Sequence, residues 1–284
     1  MNPSRWFAPV DGDAWMMGVL NCTPDSFSDG GMYVTLDGAV RHAEQMWKAG
    51  AAIIDVGGES TRPGSEAIPE SEELARVIPV IEALCDRQVC VSIDTSKAEV
   101  MRQAIVAGAA MVNDVTALAG DSSSLDIVAE ADVDVCLMHM RGAPATMQNH
   151  VHYDDVVDEV EAFLAARVEI CVAAGVREDA ILLDPGIGFG KQLEDNLALI
   201  AAIPRFKKLG FPVLMGVSRK FFLEELTGSR VNDREIETAV AVAACIYAGT
   251  DVVRVHDVET QARAVKIASA IRCCLPESSP GVSS

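Results

Sequence analysis

Eight times along this chain a short apolar run stops abruptly on polar residues, and stretches of helical spacing lie between the runs. The clearest instance is ILLDPGIGFGK, residues 181–191. There Ile181, Leu182 and Leu183 end on Asp184, and a Pro-Gly-x-Gly-x-Gly turn follows that neither a helix nor a strand can continue. The other runs end alike: MMGVL at Asn21, AIIDV at Gly57-Gly58-Glu59, VCVSI at Asp94, MV at Asn113-Asp114, VCLM at His139, PVLMGV at Ser218-Arg219-Lys220 and DVVRV at His256-Asp257. Between them lie amphipathic stretches such as LDGAVRHAEQMWKAG and SEELARVIPVIEAL, whose apolar residues recur at helical spacing. Strands that alternate with helices predict a parallel sheet, because parallel neighbours need crossovers and the crossover helices bury both faces. Eight such units in one domain predict an α/β fold of the closed (β/α)8 TIM-barrel type. An open doubly wound sheet is the alternative, but the early glycine fingerprint of its dinucleotide-binding form is absent. In a barrel all the strand ends meet at one mouth, so the polar residues that end the runs form one candidate site.

Length agrees with a single domain, since 284 residues, half of them hydrophobic, suit one barrel. The expected division is an N-terminal segment 1–13, a barrel over 14–274 and a disordered tail 275–284, PESSPGVSS being polar and rich in Pro and Ser. A formal charge of −19 without any basic run argues against nucleic acid or an anionic membrane as partner. Any phosphate must then be held by a few placed cations. No segment has the apolar length of a membrane span, and the N-terminus lacks a signal-peptide core, so a cytoplasmic protein is expected. The eight cysteines are scattered without a C-x-x-C, which predicts reduced thiols; the adjacent Cys273-Cys274 pair has no assigned role.

Two long segments are rich in small and turn-forming residues: NCTPDSFSDGGMYV after the first run and DVGGESTRPGSEAIPE after the second. Both are read as mobile loops over the mouth. Asn21 and Asp29 bring hard oxygen ligands, and Thr61 and Arg62 bring a hydroxyl and a fork of anion-binding donors. Asp94 and Asn113, an acid and an amide at neighbouring strand ends, match the donor and acceptor edge of a heterocycle. Either could equally cap the next helix, and Thr95 is read as an N-cap. Met138, His139 and Met140 reach the mouth from the fifth run, His139 as a hydrogen-bonded structural residue. Phe189 offers a stacking face, and Lys220 starts a helix. Arg254 and His256, two apart, are read as pointing to the same side of the last strand, where a buried Arg needs an anion to meet it.

The stretches MGVLNCTPDSFSDGG, IIDVGGESTRPG, VSIDTSK, VNDVTAL, LMHMRG, LDPGIGFGK, GVSRK and VRVHDV, in that order, resemble the dihydropteroate synthase family over about Trp15 to Arg272. The resemblance implies condensation of a dihydropterin methyl diphosphate with 4-aminobenzoate in folate biosynthesis, a magnesium ion, sulfonamide inhibition and a homodimer. It implies a pterin pocket at Asp94, Asn113, Met138, Asp184 and Lys220. It implies a diphosphate site at Asn21, Arg254 and His256, with Asn21 as the magnesium contact. Mobile loops are implied around Phe27, Ser28 and Asp29 and around Thr61, Arg62 and Pro63, with an aminobenzoate cleft among Thr61, Pro63, Phe189, Ser218 and Lys220. Asp94, Asp184, Lys220, Arg254 and His256 are the implied catalytic set. Pterin-binding domains of corrinoid methyltransferases and a non-catalytic pterin-binding relative are the alternatives; the cations near Ser218 and Arg254 and the intact loops speak against them. One departure stands out: Phe221 follows the SRK lysine where relatives commonly carry a polar residue.

Overall fold

In a computed structural model of the chain, which describes residues 14–23, 36–61, 64–143, 146–147 and 151–275, the apolar runs become parallel strands. They are β1 (Trp15–Asn21), β2 (Ile53–Gly57), β3 (Val91–Asp94), β4 (Met111–Asp114), β5 (Asp134–Met138), β6 (Ile181–Asp184), β7 (Leu214–Met215) and β8 (Val252–Val255). Their order in the sheet is β6-β5-β4-β3-β2-β1-β8-β7. The ring closes between β6 and β7 through a parallel bridge of Leu183 with Val213, where the Leu183 N–H donates to the Pro212 carbonyl at 2.9 Å. This is the expected single-domain (β/α)8 TIM barrel. Of the run PVLMGV only Leu214 and Met215 are strand, because this edge has one bridge on its β6 side rather than a full ladder.

The helices are α1 (Leu36–Lys48), α2 (Glu70–Cys85), α3 (Ala98–Val106), α4 (Ser124–Ala131), α5 (Val156–Ala173), α6 (Leu193–Ala201), α7 (Ile203–Lys207), α8 (Phe221–Thr227), α9 (Glu235–Ala248) and α10 (Val258–Cys273). Each long helix buries the stripe its periodicity marks: α1 turns Ala39, Val40, Ala43 and Met46 inward, and α5 turns Val160, Leu164, Val168 and Cys171. Asp155 caps α5 by accepting from the N–H groups of Val157 and Asp158, and Asp257, directly after His256, caps α10 from Thr260. Thr95 is not the N-cap expected of it. Lys97 holds that position, and the Thr95 hydroxyl instead accepts the Lys97 N–H at 3.3 Å, while Asp121 accepts the Ala98 N–H. The carboxylate of Asp121 reaches the helix start from another loop, a contact that local sequence does not announce.

Strand alternation separates two cores. Ile54, Val56, Val112, Leu137 and Leu183 join the large core between strands and helices. Met17, Ile53, Met111, Cys136, Leu182, Leu214 and Val252 form a second, smaller cluster that fills the barrel interior. Burying one such Leu or Ile contributes about 1.5–3 kcal/mol. Two residues beyond Ile53, Met111, Leu182 and Val252 stand Asp55, Asn113, Asp184 and Arg254, and that change of chemistry sets the floor of the site. All eight cysteines are free, as expected of reduced thiols, with Cys273 and Cys274 exposed at the end of α10. Among the described residues no helix is long and apolar enough to cross a membrane. The expected N-terminal segment 1–13, and the tail 275–284 beyond Leu275, lie outside the described residues.

Candidate active site

Register brings the run ends to one level. Asn21 stands opposite Gly57, Gly57 opposite Asp94, Asp94 opposite Asn113, and Met138 opposite Asp184. One pocket at this mouth gathers Asp94, Asn113, Met138 and Asp184 with Thr61, Phe189, Lys220 and Arg254, all expected there. It also contains Val115, Ile187 and Gly216, whose apolar walls the sequence reading did not assign. Met140, expected at the mouth beside Met138, is not in this lining.

The floor is a chain of charges. Arg254 donates from Nε to Asp55 Oδ2 at 2.6 Å and from Nη2 to Asp94 Oδ2 at 2.7 Å. Asn113 donates from Nδ2 to the same Asp55 oxygen at 2.9 Å. Anions that meet the partly buried Arg254 are therefore supplied by the protein itself. The expected need for an anion is thus met from within the chain, and Asp55, fully buried, is the functional residue that the sequence reading missed. A carboxylate in the middle of the apolar run AIIDV was the available signal. Burial pushes the Asp94 carboxyl up to about 7 even though Arg254 pulls the other way. Burial also works against the Arg254 charge, but Asp55 and Asp94 outweigh it and hold its pKa above the ordinary range. Asp94 Oδ1 and Asp55 Oδ1 are buried and have no hydrogen-bond partner among the described residues.

Asp184 accepts the Gly186 N–H at Oδ1, 2.7 Å away, and burial raises its pKa against the pull of that bond and of Lys220, Lys191 and Arg254. The glycine-rich turn beyond it lies flat on the exit of β5. A side chain on Gly186 would drive into the His139 carbonyl, and one on Gly190 into the Arg141 carbonyl, so both positions need glycine at their positive φ. Lys191, quoted within the motif but given no role there, explains how the turn is held. Its buried Nζ reaches His139 Nδ1 at 3.0 Å, the His139 carbonyl at 3.2 Å and the Phe189 carbonyl at 3.1 Å. Burial lowers Lys191 to about 7, and burial followed by the Lys191 charge lowers His139 to about 3. His139 is thus the neutral, hydrogen-bonded structural residue expected of it. The Lys220 ammonium stands 4.0 Å from the Phe189 ring centroid, a cation–π contact along one wall.

Ser218 and His256 are joined to each other, Oγ to Nδ1 at 3.0 Å, and neither is in the pocket lining. Arg254 and His256 therefore contact different partners despite their spacing. Asn21 ends β1, partly buried, beside the point where the Cys22 N–H donates to the Gly57 carbonyl. Lys220 is the N-cap of α8, and Phe221 on its first turn is 63% exposed, so its aromatic ring is not part of the core; Phe222 takes that place. Phe27, Ser28, Asp29, Arg62 and Pro63 lie outside the described residues.

The sequence model of the family described as "Pterin binding enzyme" matches residues 17–256. Dihydropteroate synthase of Synechocystis sp. is 45% identical over 90% of this chain and 90% of its own. Among solved structures, a sulfonamide drug complex of Yersinia pestis dihydropteroate synthase superimposes with a TM-score of 0.88 at 42% identity, covering 93% of this chain and 96% of that one. The Xanthomonas albilineans dihydropteroate synthase in complex with 7,8-dihydropteroate gives a TM-score of 0.83 at 42% identity, with 94% and 97% covered.

Proposed function

The chain belongs to the dihydropteroate synthase family of pterin-binding enzymes, and from that membership we infer how its own residues share the work. It is a dihydropteroate synthase: it joins (7,8-dihydropterin-6-yl)methyl diphosphate to 4-aminobenzoate and releases 7,8-dihydropteroate and diphosphate. It is a sulfonamide target, and we assign the sulfonamides to the 4-aminobenzoate cleft. The observation that carries the residue assignment is the buried Asp94 Oδ1 at the pocket floor, which has no hydrogen-bond partner among the described residues. An unmade hydrogen bond there costs about 1–3 kcal/mol, which a ring N–H of a pterin offsets. Asn113 presents its remaining amide oxygen beside it, because its Nδ2 is committed to Asp55.

In the reaction the bond from the exocyclic methylene to the diphosphate oxygen breaks and the oxygen leaves with the electron pair. The aniline nitrogen then bonds to the methylene and loses a proton to solvent. Asp184 stabilises the positive charge that develops on the pterin. Arg254 has donors beyond the two it spends on Asp55 and Asp94, and these, with His256, take the leaving diphosphate. Phe189 and Lys220 form the wall beside which the second substrate stacks. Free backbone N–H groups at the start of α8 receive its carboxylate. Phe221 adds no hydroxyl to them.

The magnesium reading rests on Asn21. Among the described residues no group of three His, Cys, Asp or Glu could hold a metal unaided. Magnesium keeps most of its shell as water and phosphate oxygens, so a single neutral oxygen from Asn21 fits an ion that arrives with the diphosphate. When bound there, the ion supplies charge neutralisation of the leaving group. Dihydropteroate formation is expected to need both substrates, and diphosphate release is expected to need the pterin diphosphate and to stop on removal of divalent cations with EDTA. Absence of dihydropteroate when both substrates are present would contradict the transfer, and full activity in EDTA would remove magnesium from the account.

A cytoplasmic location is supported by eight unbridged cysteines, several of them deep in the core. A homodimer is supported by the outer face of α9 and α10, where Ile236 is 78%, Val240 66% and Ile267 62% exposed around an apolar groove. Sedimentation equilibrium is expected to return twice the chain mass for the wild type and the single mass for Val240→Asp. A monomeric wild type at micromolar concentration would refute this assignment.

A further inference from the structure

Below the second mouth loop lies a cluster of charges that the reaction as described does not use. Lys97 donates from Nζ to Glu59 Oε2 and to Glu73 Oε2, both at 2.6 Å. Glu73 is buried on the inner face of α2, and among the described residues Lys97 is the cation paired with it. Glu59 stands at the entry of the loop, and the same oxygen that meets Lys97 also accepts the Ile68 N–H at the loop's exit, 2.8 Å away. Within the loop the Ser65 hydroxyl donates to the Ser60 carbonyl at 2.5 Å. From the other side the Arg76 Nη1 donates to the Gly58 carbonyl at 2.8 Å. One carboxylate thus closes the base of the loop, and one ammonium decides where that carboxylate sits.

The backbone of Lys97 is itself tied to the pterin floor. Asp94 is three positions upstream, the Thr95 N–H donates to the Asn113 carbonyl at 3.1 Å, and the Lys97 N–H closes the turn on the Thr95 hydroxyl. Two positions beyond Glu59 is Thr61, which lines the pocket. The segment from Asp94 to Lys97 is therefore joined to the segment from Glu59 to Thr61 by the contact of Lys97 Nζ with Glu59 Oε2. We propose that Lys97 is a positioning residue of the synthase: by locking Glu59 it sets Thr61 and the base of the second loop over the mouth, where the second substrate enters. Without the ammonium, Glu59 and buried Glu73 would face each other as like charges, and the base of the loop would move away.

This inference rests on the synthase reading given above. Lys97→Met is expected to raise KM for 4-aminobenzoate by about tenfold or more and to lower kcat, as a misplacement of about an ångström does. Binding of 6-hydroxymethyl-7,8-dihydropterin, the unreactive alcohol of the first substrate, should stay close to wild type. Lys97→Arg should recover most of the loss. Glu59→Gln, which keeps an acceptor for Ile68 while weakening the pair, should show the same split in smaller measure, and it decides the matter if Lys97→Met does not fold. Equal losses for both substrates would mark a general structural role and overturn the proposal, as would an unchanged KM for 4-aminobenzoate in folded Lys97→Met or in Glu59→Gln. A wild type that binds the pterin alcohol but forms no dihydropteroate would instead overturn the synthase reading, and this inference with it.

Discussion

Replacing Arg254 by alanine is expected to lower the rate of diphosphate release by on the order of a hundredfold or more, the effect of losing one well-placed electrostatic donor. It is also expected to destabilise the fold, because the same guanidinium balances Asp55 and Asp94 in the barrel interior. Removing one partner of a buried ionic network costs about 3–5 kcal/mol. The pH dependence separates the two effects. In the wild type burial pushes the Asp94 carboxyl up to about 7 when folded, well above an unfolded aspartate. The folded state thus binds the extra proton between those values, and its contribution to stability is present at low pH and lost as pH rises through the folded value. Without Arg254 that carboxyl rises further. The variant should therefore unfold more readily than wild type at pH 8 and approach it at pH 5, as followed by denaturant titration. Adding Asp55→Asn to Arg254→Ala should return part of the stability and none of the activity. Near-normal turnover in Arg254→Ala would remove it from the diphosphate site, and equal destabilisation at both pH values would contradict the charge network.

The second large effect is expected at Asp184. Asn in its place can still accept the Gly186 N–H through its side-chain oxygen, so the glycine-rich turn should survive and only the charge is lost. If that charge stabilises the developing pterin cation, kcat should fall on the order of a hundredfold to a thousandfold with little change in Tm. Burial raises the Asp184 pKa, so the wild-type rate should decline on the acid side at a higher pH than an ordinary carboxylate would impose. Asp184→Asn should lack that limb. Lys191 supplies an independent readout, since Asp184 is the strongest charge holding its pKa up against burial. In the Asn variant Lys191 should lose its proton at lower pH than in the wild type, observable by NMR of the ammonium. A kcat near that of the wild type would end the electrostatic assignment.

Much of the architecture was legible locally. Each strand announced itself as an apolar run closed by polar residues, and the helices by the spacing of Ala39, Ala43 and Met46 or of Val160, Leu164 and Val168. The expected rim of Asp94, Asn113, Met138 and Asp184 followed from where the runs stopped, because parallel register levels the strand ends. The errors fell where a partner came from elsewhere in the chain. Thr95 lost the cap position, PVLMGV kept only Leu214 and Met215 as strand, and Asp55, the carboxylate that meets Arg254, went unassigned.

What the sequence by itself determined is the period of each element, where each strand ends, and the chemical types offered at the mouth. These depend on backbone geometry over a few neighbouring residues. What only the tertiary structure decided is which charges meet. Arg254 and Asp55 are 199 positions apart and Arg254 and Asp94 are 160 apart. Lys97 meets Glu59 across 38 positions, and Lys191 meets His139 across 52. None of these pairs has a signature in local spacing. They form because closing the barrel encloses inward-facing polar side chains in a small volume of low dielectric, where a charge left without a partner is costly and the available partners are fixed by strand order.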